Sequence, residues 1–148
     1  MSLKARINDD MKAAMRGGEK LRLGTIRMLM AAIKQREVDD RREMADTDVL
    51  QIVEKLIKQR REAATQFASA GRGDLEARET EEAGILSAYL PAQLDEAGIR
   101  ALIEDALAST GAAGVRDMGK VMNALRPKLQ GRADMSQVSN LVKARLTG

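Results

Sequence analysis

The chain has 148 residues, 44% of them hydrophobic, and its 25 Lys and Arg against 22 Asp and Glu leave a net charge of +3. That is enough apolar material for one compact domain or two small ones. The lack of Cys and His excludes disulfides, the usual zinc sites, and the Ser/His/Asp and Cys/His nucleophile systems. Phe67 and Tyr89 are the only aromatic residues, so the core must be built from Leu, Ile, Val, Met and Ala, with nine Met to adapt it. No apolar run approaches the roughly 20 residues that span a bilayer, and the first 20 residues lack the apolar stretch of a signal peptide. The expectation is a cytoplasmic protein with no membrane partner.

Taken in chain order, every strong periodicity is helical. Ser2 is placed to cap a first helix that stops at Gly17-Gly18. A second helix runs from about 19 to 42, with Ile26, Leu29, Met30 and Ile33 as its core stripe. Asp46 or Thr47 is the expected cap of a third, which carries Val49, Ile52, Val53, Leu56, Ala63 and Phe67 on one face and stops at Gly71-Arg72-Gly73. Asp74 is the expected cap of a fourth, which turns Leu75, Leu86, Tyr89 and Leu90 inward and ends before Pro91. "LPAQLDEAG" marks a domain boundary there, with Asp95 as the next cap.

Three shorter helices follow. Their stripes are Ile99, Leu102, Ile103, Ala106 and Leu107; Val121, Met122, Leu125 and Leu129; and Val138, Leu141, Val142 and Leu146. Asp117 is the expected cap of the second of these, and Asp134 with Gln137 forms a capping box for the third. The predicted architecture is all-α: an antiparallel helical domain of about four helices over 1–90, then a three-helix domain over 91–148.

Charge is unevenly spread. Lys and Arg outnumber Asp and Glu 11 to 6 over residues 1–42 and 7 to 2 over 116–148, while 43–90 (6 to 10) and 91–115 (1 to 4) are acidic. Such asymmetry suits a surface that faces a polyanion. Lys20, Arg27, Lys34 and Arg41 recur every seven positions and form one ridge on the second helix. The ridge could track a phosphate backbone, although a solvated flank whose alkyl stems cover the core edge is the more ordinary reading.

Arg60 falls inside the apolar face of the third helix, where an unpaired charge would cost several kcal/mol. Glu79 and Glu82 lie within the stripe of the fourth helix, so an ion pair of Arg60 with one of them is expected, and Arg22 is aligned to join it. Near the C-terminus, "GKVMNALRPKLQGRAD" brings Lys120, Arg126, Lys128 and Arg132 around a bend made by Pro127 and Gly131. Cations with free amides would make a phosphate seat, although an ordinary soluble turn has the same composition. No metal-ligand, sugar-hydrolase or P-loop spacing is present, so neither a catalytic site nor a cofactor is expected.

"LRLGTIRMLMAAIKQREVD", "KLIKQRREAATQFASAGRGDLEARETEEAGILSAYLPAQL" and "GKVMNALRPKLQGRADMSQVSNLVKARL" together resemble the bacterial YqeY-like proteins of the GatB/YqeY family, over nearly the whole chain. That family shares the helical tail of GatB, a component of the glutamine-dependent aspartyl/glutamyl-tRNA amidotransferase, where the tail helps to hold the tRNA. Gly119, Lys120, Val121, Met122, Gly131, Arg132 and Ala133 stand on matching motif positions. The chain lacks the catalytic region of GatB, so a carbon-nitrogen ligase label would follow from kinship without a site to perform it. The resemblance implies a non-catalytic module that binds tRNA or another structured RNA by backbone and shape. The alternative is an adaptor that docks on a protein of the translation or amidotransferase machinery.

Overall fold

The computed structural model describes residues 1–148 and is all-helical: α1 (Leu3–Arg16), α2 (Lys20–Asp40), α3 (Asp46–Ser69), α4 (Gly73–Ser87), α5 (Glu96–Thr110), a single 3-10 turn (Val115–Asp117), α6 (Met118–Leu129) and α7 (Met135–Thr147). The chain divides into two compact units, Met1–Leu90 and Pro91–Gly148.

In the first unit α1 opens where the Ser2 hydroxyl accepts the Ala5 N–H at 3.1 Å. It closes at Gly17, and Gly18 takes a left-handed φ of 66° to start the return into α2. Burial of Ile26, Leu29 and Ile33 fixes the inner face of α2 against Ile7 and Ala14 of α1, Val49, Ile52, Val53 and Ile57 of α3, Leu86 of α4, and Tyr89 just past its end. Removing a side chain such as Leu29 from water stabilises the fold by about 2 kcal/mol. α3 and α4 form the most extensive helix pair, yet Ala63, Phe67 and Leu75 are only half-buried. The far half of this hairpin therefore runs beyond the main core.

Three expected caps act differently. Asp46 begins α3, and its carboxylate accepts the Leu3 N–H of α1 at 2.9 Å, so it serves a neighbouring helix start. Thr47 lies inside α3 and does not cap it. Asp48 closes the α3 entry instead, accepting the Ala45 N–H at 2.9 Å while gripping Arg42 at 2.9 and 3.0 Å. Asp74 lies in the first turn of α4, which already begins at Gly73, and pairs with Arg72 at 3.3 Å.

The second unit buries Ile99, Ile103 and Ala106 of α5, Val121, Leu125 and Leu129 of α6, and Val138 and Val142 of α7. Asp95 caps α5 by accepting the Gly98 N–H at 2.8 Å. Asp134 caps α7 through the Ser136 N–H at 2.9 Å, one residue short of the Gln137 position that a capping box uses. Asp117 occupies the N-cap position of α6, as expected, but its side chain makes no capping bond to that helix. Its carboxylate reaches back to the Ala113 N–H at 3.0 Å, a bond that holds it below the usual carboxylate range, helped by Lys120 and Arg116.

Candidate functional site

Lys20, Arg27 and Lys34 stand exposed on the solvent side of α2, opposite Ile26, Leu29 and Ile33. Small exposed residues, Gly24 and Ala31, lie between them. The guanidinium of Arg27 reaches the thioether of Met15, at 3.8 Å, and so ties the ridge to the last turns of α1. Arg41 does not extend the ridge: α2 ends at Asp40, and Arg41 adopts a left-handed φ of 53° that takes it out of helical register.

Below Lys34 the surface changes character. Lys4, Lys34, Glu37, Val38, Arg42 and Glu43 line an open cleft of about 410 Å³. Glu37 accepts from the Lys4 ammonium at 2.6 Å and from the Met44 N–H at 2.8 Å, which together hold its carboxyl below the usual range. Lys4 is raised in turn by the same contact and by Glu43 at 3.4 Å. These pairs are satisfied internally and fasten α1 to the end of α2.

Arg60 is held between helices. Its Nε lies 3.0 Å from Glu82 and 3.7 Å from Glu79, its guanidinium also contacts the Met28 thioether, and Arg78 approaches Glu82 at 3.6 Å. Arg22 takes no part in this network. Its charge acts on Tyr89, whose buried hydroxyl donates to Asp10 at 2.7 Å. Burial first and the Asp10 bond second push the Tyr89 phenol well above its ordinary value. Arg6 covers the Tyr89 ring at 5.0 Å from its centroid and donates to the Ala88 carbonyl at 3.1 Å. This clasp joins residues 79 apart in sequence, so periodicity could not reveal it.

The C-terminal bend differs from the seat read in the sequence. Pro127 stays inside α6, two residues before its end, where Arg126 and Lys128 occupy the last turn and complement the carbonyl-rich helix terminus. Lys120 sits in the first turn, eight residues from Lys128 and therefore about 12 Å away along the axis. Arg132 is half-buried and donates to the Ala92 carbonyl at 3.2 Å. The four cations do not gather at one end. Two of the bend's amides are also engaged: Gln130 N–H bonds to Arg126 O and Arg132 N–H to Leu129 O, each at 2.9 Å. The turn instead secures the start of its unit, because the Arg132 carbonyl accepts the Leu94 N–H at 2.9 Å and Gly131 O accepts from Gln93.

None of the eight cations picked out by sequence takes part in an ion pair, and all but Arg132 are exposed. Sequence reading passed over further exposed cations outside any ion pair, among them Lys12 and Arg16 on α1, one turn apart. The signal was available: from residue 11 to 35 the chain has six cations and a single acid, Glu19. No three carboxylates converge where they could hold a metal ion. No helix is long and apolar enough to cross a membrane.

The fold and these faces define a two-unit all-helical protein with exposed cations outside ion pairs on α1, α2 and α6. The chain belongs to the YqeY-like family, whose model matches residues 4–146. Among curated proteins it is similar to "Altered inheritance of mitochondria protein 41, mitochondrial" of Eremothecium gossypii, 38% identical over 60% of this chain and 49% of that protein. The protein of the same name from Kluyveromyces lactis is 36% identical over 57% and 46%, and that from Pyrenophora tritici-repentis is 30% identical over 93% and 77%. The chain thus spans about half the length of the first two relatives.

Proposed function

We propose that this protein is a non-catalytic RNA-binding module that holds tRNA or another structured RNA through its phosphate backbone. The observation that carries the reading is that Lys20, Arg27 and Lys34 of α2 and Lys120, Arg126 and Lys128 of α6 project to solvent outside any ion pair. Some cations elsewhere are paired, as Arg42 is with Asp48 and Arg145 with Glu104. Unneutralised charge on a folded surface costs self-repulsion, which a polyanion relieves by releasing its counterions. The resemblance to the GatB tail of the amidotransferase points to the same ligand class.

A Cys-free chain suits a reducing compartment, and we place the protein in the cytoplasm. The relatives' names carry "mitochondrial" for theirs. Fluorescence anisotropy with labelled tRNA at two salt concentrations tests the reading: binding at low salt that weakens steeply with added salt is expected. A second reading, docking on a protein of the translation or amidotransferase machinery, draws on the acidic α3–α4 hairpin, where Glu62 and Glu81 are exposed without an ion-pair partner. It takes precedence if no tRNA binds at low salt.

A further inference from the structure

We infer that α1 and α2 together form one binding face for double-helical RNA, with Lys12 and Arg16 of α1 extending the Lys20, Arg27 and Lys34 ridge. This rests on the RNA reading above and specifies both the surface and the form of RNA. All five side chains are exposed and none is in an ion pair. The Arg27 contact with Met15 places the α2 ridge beside the last turns of α1, the stretch that carries Lys12 and Arg16.

Spacing points to a duplex. Seven residues of helix advance about 10.5 Å, so Lys20, Arg27 and Lys34 form a straight row about 21 Å long on a rigid support. Such a row meets phosphates whose course is already fixed, as in a double helix. Single strands are held instead by stacking on exposed aromatic rings. This face has none: Tyr89 is 4% exposed within the core, and Phe67 belongs to α3.

Gly24 strengthens the case. It lies within α2 without a left-handed φ, and a Cβ there would meet nothing within 4 Å, so the protein's own packing does not require glycine. Helical glycine is intrinsically unfavourable. On this face it lowers the surface between Lys20 and Arg27, which lets a backbone approach closely.

The test compares a short RNA duplex with each of its separated strands, titrated over a salt series against the full chain. Lys20→Ala/Arg27→Ala/Lys34→Ala is one variant and Lys12→Ala/Arg16→Ala a second. Lys55→Ala/Lys58→Ala is the control, since those exposed α3 cations are also outside any ion pair. Circular dichroism establishes that each variant is folded. We expect the parent to prefer the duplex. Both α1 and α2 variants should weaken duplex binding by about ten-fold or more and flatten the log–log salt slope by about 0.9 per lost contact, with little change in the control. Equal or tighter binding of a single strand, or a control as impaired as the variants, overturns the duplex face and leaves the RNA reading standing. No binding of either form by the parent overturns both.

Discussion

At the scale of single residues, Arg60 shows how a charge inside an apolar stripe announces its partner. Its side chain is 18% exposed, Glu79 22% and Glu82 15%, so the group is shielded from most solvent. Arg60→Ala would strand Glu79 and leave Glu82 with the more exposed Arg78 alone, and urea denaturation should show a loss of about 2 to 3 kcal/mol, the buried-pair figure reduced for residual exposure. A loss under about 0.5 kcal/mol, the scale of a surface pair, would contradict this.

Asp48 gives a pH prediction. Its bond to Arg42, and then that from the Ala45 N–H, lower its pKa from 3.8 to about 2. A depressed carboxyl stabilises the fold fully above its unfolded value and loses that contribution as pH falls through its folded value. Asp48→Asn should therefore be less stable than the parent at neutral pH, with the difference closing between about pH 4 and pH 2. A difference that persists unchanged at pH 2 would rule out this cause.

At the scale of elements, glycines separate packing from function. Gly131 is buried and holds a left-handed φ of 75°, so Gly131→Ala should destabilise the C-terminal unit by about 1 to 2 kcal/mol, read as a lower Tm. Gly24→Ala should do the reverse and stabilise α2 by about 0.5 to 1 kcal/mol while weakening RNA binding. If it lowers stability, Gly24 has a packing role and its place in the binding face fails.

The helices themselves were legible because their apolar residues repeat at helical spacing, as Ile26, Leu29 and Ile33 do, and because Gly17-Gly18 and Pro91 punctuate them. Caps were harder. A carboxylate near a helix start has several donors in reach, so Asp46 went to α1, Asp74 to Arg72 and Asp117 back to Ala113. Sequence spacing also could not tell that the Gly131-Arg132 turn would be spent on holding Gln93 and Leu94. Contacts with residues dozens of positions away decide such cases.

At the scale of the whole molecule, a net charge of only +3 conceals faces on which cations have no counter-charge. Most of the acids lie between residues 43 and 115, some of them engaged with Arg42, Arg60, Arg100 or Arg145. The central claim is that these free cations bind RNA phosphates. The most direct test is the dissociation constant for tRNA measured across a salt series with the unmodified chain. Engagement of four or more phosphates predicts a log–log slope of about −3 or steeper. No binding at low salt, or an affinity that does not change with salt, would contradict the account.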